Sequence, residues 1–271
     1  MRRFCLVPML TLALASPAAA QSFETAGARA LGMGGAFVGV ADDASAIWWN
    51  PAGLATGGFF SVAIERHEFE PERSSWFLGA GSLPLGLSYV RTRDPQLTTH
   101  QAGVTLLQSV TDTIVVSGTA KFVRGNSTNA FDADLAVMAH TGELKVGLTV
   151  RNITSPEFET ADGAAIEVPW RARAGVSYLA SQAFIVALDV DLRPVQEGPD
   201  KRRNLAIGGE YRRARLSLRS GARFDTIGDV NPLGTVGGSY AVRNGMWVDV
   251  WAAAGDRNAG RGWGLAGRLV Y

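Results

Sequence analysis

The sequence predicts an all-β fold, an up-and-down transmembrane antiparallel β-barrel of about fourteen strands. Three observations predict it: apolar and polar residues alternate with period two in several separate runs, short and long connections alternate between the runs, and the last run ends with the chain on an aromatic residue. In the clearest run Phe184, Val186, Leu188, Val190 and Leu192 interleave with Ala183, Ile185, Ala187, Asp189, Asp191 and Arg193. Leu144, Val146, Leu148 and Val150 alternate with Glu143, Lys145, Gly147, Thr149 and Arg151, and Leu216, Leu218, Ala222 and Phe224 with Arg215, Ser217, Arg219 and Arg223. With 46% apolar residues, five successive matches arise by chance about 2% of the time, so several independent runs decide for strands.

Taken in order, residues 1–20 read as an export signal. Arg2 and Arg3 supply the positive start, an apolar run extends from Phe4 to Ala15, and Ala18, Ala19 and Ala20 form a small-residue cleavage site before Gln21. The single cysteine, Cys5, leaves with this segment, so the mature chain carries no disulfide and no thiolate metal site. Residues 21–58 are rich in glycine and alanine and lack period-two alternation. Strands are expected over 59–66, 73–82, 84–92, 99–109, 112–124, 130–140, 143–152, 167–179, 183–193, 202–212, 214–225, 232–243, 245–255 and 261–271. Connections after the even-numbered strands are tight, as at Leu83-Pro84, Thr111-Asp112 and Thr141-Gly142, whereas those after odd-numbered strands are longer. Short periplasmic turns alternating with longer outer loops suit a membrane barrel, and an even strand number puts both chain ends on the periplasmic side.

A periplasmic β-sandwich also alternates apolar and polar residues, but three features oppose it. Trp170 and Tyr178 share a face eight residues apart, and Trp263 and Tyr271 repeat the spacing. That spacing covers roughly 21 Å of membrane normal, close to the apolar band between two aromatic girdles. The final strand places Trp263, Leu265, Leu269 and Tyr271 on one face, a pattern resembling the terminal signal read by barrel-insertion machinery. Finally, the opposite face carries Arg171, Arg173, Asp189, Asp191, Arg219, Arg223 and Asp249 in strand centres. These suit a wet lumen, because an arginine facing lipid near the midplane would cost about 2–4 kcal/mol.

The most specific signal is GARALGMGGAFVGVADDASAIWWNPAGLA, residues 27–55. Its marks are Gly32, Gly34 and Gly35, then Asp42, Asp43 and Ser45 within an Ala-Asp-Asp-Ala-Ser run, then Asn50, Pro51, Ala52 and Gly53 followed by Leu54. The segment resembles the N-terminal region of the FadL-type superfamily of outer-membrane barrels, which includes long-chain fatty acid transporters and the PorV-type barrels of type IX secretion. The resemblance implies a lumenal hatch over residues 21–58 and a barrel over 59–271. It also implies passage or binding of small hydrophobic molecules at the outer membrane of a Gram-negative cell; the alternatives are a docking component of a secretion system and a plugged structural barrel. The residue types fit packing equally well. Glycines permit tight turns, Ser45 and the aspartates can cap turns or short helices, and Asn50 before Pro51 ends a helix begun near Asp43.

Other constellations point nowhere. Gly32, Gly34 and Phe37 imitate a dinucleotide fingerprint, but Phe37 stands where the third glycine belongs and no βαβ unit surrounds it. His67, His100 and His140 lie on separate strand ends without ligand spacing, so neither metal nor cofactor is expected. Nothing marks a nucleophile, and the chain is not expected to be an enzyme. A net charge of +1 gives no reason to expect nucleic acid. Asp132/Asp134 and Asp189/Asp191 each share a strand face; facing arginines are expected to neutralise them in a lattice bracing the lumen. The expected partners are therefore outer-membrane lipid, the insertion machinery, and either a small hydrophobic ligand or a periplasmic or secretion partner.

Overall fold

The structure, a computed structural model, describes residues 24–197, 200–256 and 260–271. The export segment read over 1–20 lies outside the described residues. After a short helix α1 (Ala28–Gly32), a helix α2 (Ala46–Trp49) and a 3₁₀ helix (Pro51–Thr56), every regular element is a strand. The strands are β1 (Phe60–Phe69), β2 (Arg73–Ser82), β3 (Leu85–Arg93), β4 (Thr98–Ser109), β5 (Ile114–Arg124), β6 (Asn129–Thr141) and β7 (Leu144–Arg151). They continue with β8 (Glu157–Glu159), β9 (Ala165–Glu167), β10 (Arg171–Ser181), β11 (Phe184–Asp191), β12 (Val195–Glu197) and β13 (Asp200–Arg202). Last come β14 (Asn204–Arg213), β15 (Leu216–Asp225), β16 (Leu233–Arg243), β17 (Met246–Gly255) and β18 (Arg261–Val270).

Fourteen of these close into one barrel, in the order β1-β18-β17-β16-β15-β14-β11-β10-β7-β6-β5-β4-β3-β2. Neighbouring barrel strands pair antiparallel throughout. The seam joins first strand to last: the Phe60 N–H donates to the Tyr271 carbonyl at 2.9 Å, and the Tyr271 N–H returns the bond to Phe60 at 2.8 Å. Both ends of the barrel-forming chain therefore sit on the rim that also holds the tight turns. Closure leaves no unpaired strand edge, which a bilayer would not tolerate.

Burial is inverted relative to a water-soluble protein. Alternate residues on the outer face are large, apolar and open, such as Leu106, Phe131, Leu135, Val236 and Leu265, while inward positions are buried and largely polar. Period-two alternation thus reports two surroundings, lipid and lumen.

Two expected strands begin later than the alternation suggests. Residues 165–167 pair back onto 157–159 as a hairpin in the outer connection, and 200–202 pair with 195–197. Pro169 explains the first case, since it has no N–H to give a ladder. Trp170 consequently sits just outside β10, its N–H donating to Ser155 Oγ at 3.1 Å. The 152–170 connection also folds inward: Phe158 is buried against Leu97, Val123 and Val168 beside the neighbouring loops.

Candidate functional site

Residues 24–54 are almost wholly buried, although they precede the first strand, because they lie inside the barrel. Their neighbours encircle them. Gly32 abuts Gly237 of β16, Gly34 abuts Ala222 of β15, Gly39 abuts Val176 of β10, and Val38 and Asn50 crowd Gly147 of β7. Local chemistry shapes this path. Gly34 takes φ +72°, and an added Cβ would meet the Ala222 backbone N at 2.8 Å, so both conformation and space demand glycine. Asn50 is extended before Pro51, which ends α2 and opens the 3₁₀ helix. Gly53 serves a different purpose: a Cβ there would overlap the Ala41 carbonyl.

The motif residues are positioned by hydrogen bonds. Asn50 Nδ2 donates to the carbonyls of Val38 at 2.9 Å and Val137 at 3.1 Å, tying the segment to β6. Asp43 Oδ1 accepts from the Ser45 N–H at 3.0 Å and the Ser45 hydroxyl at 2.6 Å, so the aspartate holds the turn and Ser45 makes no side-chain cap of α2. Ala52 is fully buried. Trp49 Nε1 donates to the Ala26 carbonyl at 2.8 Å, and Phe37 meets the Trp49 ring edge-on at 6.2 Å. Trp48 lies under the Arg151 guanidinium, 3.6 Å from its ring centroid.

On the β10–β18 side the segment is fastened by charge. Arg29 pairs with Asp42, with Asp43 at 3.2 Å and with Glu210 of β14 at 2.8 Å. Glu210 also receives Arg219 at 2.7 Å, and Arg219 reaches Asp249 at 3.4 Å. Arg268 bridges Asp249 at 3.1 Å and Asp43 at 3.3 Å. A second knot lies toward the outer rim, where Glu24 binds Arg173 at 2.9 Å and Arg223 at 3.2 Å, and Arg173 also binds Asp191 at 2.6 Å. Burial alone would raise the Glu24 carboxyl, but Arg223, Arg173 and Arg171 outweigh it and hold it well below the ordinary glutamate range. Asp42 is lowered in the same way, burial being overcome by Arg29, Arg212 and Lys145.

The β2–β4 side is different. Its inward positions include Ser75, Phe77, Gly79, Gly81, Gly86, Ser88, Val90, Thr92, Thr99, Gln101, Gly103, Thr105 and Leu107, with Arg73 at the rim the one inward charge among them. The segment meets this wall by packing: Leu54 sits against Gly81, and Ile47 and Leu54 against Gly86.

The structure brings Arg173 and Asp191 together, and Arg219 with Asp249; Arg223 reaches Glu24, and Arg171 is buried nearby. Asp189 departs from the arginine lattice expected for it, accepting instead the N–H groups of Phe37 at 2.9 Å and Val38 at 2.8 Å. Lys121 is the chief cation for Asp132 and Asp134, at 2.7 and 2.5 Å, with Arg151 3.7 Å from Asp134. Trp170, Tyr178, Trp263 and Tyr271 are all exposed on the outside. Sequence reasoning passed over a buried relay on β1. Glu65 Oε2 accepts the N–H groups of Gly27 and Ala28 at 2.5 and 3.2 Å, and lies 2.9 Å from His67 Nε2. Trp251 Nε1 donates to His67 Nδ1 at 2.8 Å, so the imidazole proton sits on Nε2 and is given to Glu65. Glu24, Arg29, Glu210 and Arg268 were also missed; the inward phase of their strands was the available signal for the last two.

Among the described residues, no cluster of three His, Cys, Asp or Glu side chains is placed to hold a metal. A family model described as "F plasmid transfer operon, TraF, protein" matches residues 95–191, a minority of the chain. Comparison with curated protein sequences returns no match. Solved structures match at the level of fold. The toluene transporter TbuX of Ralstonia pickettii superposes with a TM-score of 0.69 at 12% identity, over 92% of this chain and 99% of that one. The toluene transporter TodX of P. putida gives 0.67 at 11%, over 92% and 99%. CymD, a monoaromatic hydrocarbon channel, gives 0.66 at 13%, over 91% and 98%. The chain shares its fold with these three proteins over nearly its whole length.

Proposed function

We propose that the protein is an exported outer-membrane barrel that passes small hydrophobic molecules, with residues 21–58 as a lumenal hatch and 59–271 as the barrel. The observation that carries this reading is the burial of residues 24–54 inside a closed barrel whose fold is shared with three hydrocarbon channels or transporters. A filled lumen blocks water and ions, so only a solute with its own route past the hatch profits from the barrel.

The outer mouth supplies the first apolar ground on that route. Leu31, Phe69, Leu233, Trp251 and Ala253 line a pocket of about 60 Å³, with Glu24, Arg73 and Arg223 on its polar side. Ligand pockets usually hold about 300 Å³ or more, so passage requires the hatch to shift. The role is non-enzymatic: the lumenal charges at Glu24, Arg29, Glu210, Arg219, Asp249 and Arg268 are engaged with one another and with the hatch. The test is whole-cell uptake of a panel of labelled hydrophobic compounds with and without the protein. Loss of uptake for at least one compound is expected, and unchanged uptake across the panel rejects transport.

The match of residues 95–191 to a transfer-operon family favours a second reading, docking of a secretion or transfer partner. That reading expects a protein partner that stays bound through detergent extraction. Recovery of lipid and insertion machinery alone rejects it.

A further inference from the structure

The outer face of β1–β5 changes polarity in one register step. Ile64, Leu78, Tyr89, Ala102 and Phe122 are direct partners across the five strands. Two residues further toward the long-loop rim, the partnered row is Arg66, Trp76, Arg91, His100 and Arg124. An apolar row thus lies directly beneath a row of three arginines, a histidine and a tryptophan, all on the outward face. Arg66 is three residues from the outer end of β1 and Arg91 two from that of β3.

Part of this row encloses a cavity. Arg66, Ser74, Trp76, Arg91 and Arg93 line about 340 Å³ of space, with three guanidiniums and no carboxylate in the lining. Arg66 is 5.2 Å from the Trp76 ring centroid and pairs with Glu68. Arg91 and Arg93 are exposed and have no ion pair among the described residues. Lumenal arginines such as Arg173, Arg219 and Arg268 have carboxylate partners within the chain. Here three guanidiniums gather around one cavity and two of them have none, an arrangement that points to an anion from outside the chain.

We propose that this cavity binds the phosphate of a lipid headgroup in the outer leaflet, an inference that rests on the membrane reading above. The level of the row identifies the occupant. Acyl chains lie against the Ile64 row, Trp76 marks the interface, and the guanidiniums sit where a phosphate joined to those chains emerges. Arginine's planar donor fork suits phosphate oxygens, and the Ser74 hydroxyl adds a donor within the cavity.

The test uses the full mature chain in phosphatidylcholine vesicles doped with lipid A, with retained lipid A measured by native mass spectrometry after extraction. Heat-modifiable gel mobility reports insertion and folding for each form. The charge-removing variant is Arg91→Gln/Arg93→Gln, and Arg91→Lys/Arg93→Lys keeps the charge. Removing each cation is expected to lower retention about fivefold, or ~25-fold for the glutamine pair, and the lysine pair restores most of the loss. Equal retention by folded wild type and glutamine variant overturns the site. Displacement by inorganic phosphate as effective as by lipid A overturns the lipid assignment. Failure of the wild type to insert overturns the membrane reading, and the site with it.

Discussion

The two sides of the lumen hold the same segment by different physics. The β10–β18 side meets it through buried ion pairs at Arg29, Glu24, Glu210 and Arg268, whereas the β2–β4 side, apart from Arg73 donating to the Glu24 carbonyl at the rim, meets it with glycines, hydroxyls and apolar side chains. A buried ion pair does little for net stability against an apolar isostere, yet removing one partner is costly because a charge is stranded. The charged side therefore fixes position, and the neutral side is where the segment can part from the wall without stranding a charge. A hatch that opens should hinge on the first side and lift from the second.

The contrast breaks most readily at Arg29. Arg29→Ala removes the cation shared by Asp42, Asp43 and Glu210, leaving Asp43 to Arg268 and Glu210 to Arg212 and Arg219, and urea unfolding in vesicles should show a loss of about 3–5 kcal/mol. A loss below about 1 kcal/mol would mean that the three carboxylates are neutralised another way. Leu54→Ala tests the neutral side, where the residue packs over Gly81 and Gly86; the expected loss is about 2–4 kcal/mol with no change in salt dependence.

Acid sharpens the comparison. Glu24 has its pKa lowered from 4.5 by the surrounding arginines. It therefore contributes stability that is fully present above its ordinary pKa and lost as pH falls through the lower folded value. Protease protection of residues 24–58 should persist from neutral pH through the usual carboxylate range and fail only in stronger acid. Glu24→Gln should remove that acid step, and an unchanged profile would exclude Glu24 as its source. The smallest effect is expected for Thr105→Val/Thr119→Val, which replaces both partners of a 2.7 Å hydroxyl pair. A change under about 1 kcal/mol is predicted, since neither partner is left unsatisfied.

The strands were legible because lipid on one side and lumen on the other write a period of two into the chain. Legibility stopped where that rule stops. At Pro169 the chain leaves the ladder, and the apparent continuation of the alternation at 167 belongs to a loop hairpin. The inward phase of Asp132, Asp134, Asp189 and Asp191 could be read, and Lys121 and Arg173 lie directly across neighbouring strands from Asp132 and Asp191. The backbone N–H groups of Phe37 and Val38 that hold Asp189 come from distant sequence and could not be read. Glu65 and His67 were obscured similarly: they bind Gly27, Ala28 and Trp251, and no local pattern links those positions. The glycine-rich motif announced that the segment is tightly packed, without showing which wall carries the charge.

The most direct measurement is single-channel conductance in planar bilayers of the mature chain and of the chain lacking residues 22–58. The account predicts a closed full-length barrel and a conducting truncated one. Ion flow through the full chain, or a truncated barrel that is folded yet still closed, would contradict the hatch.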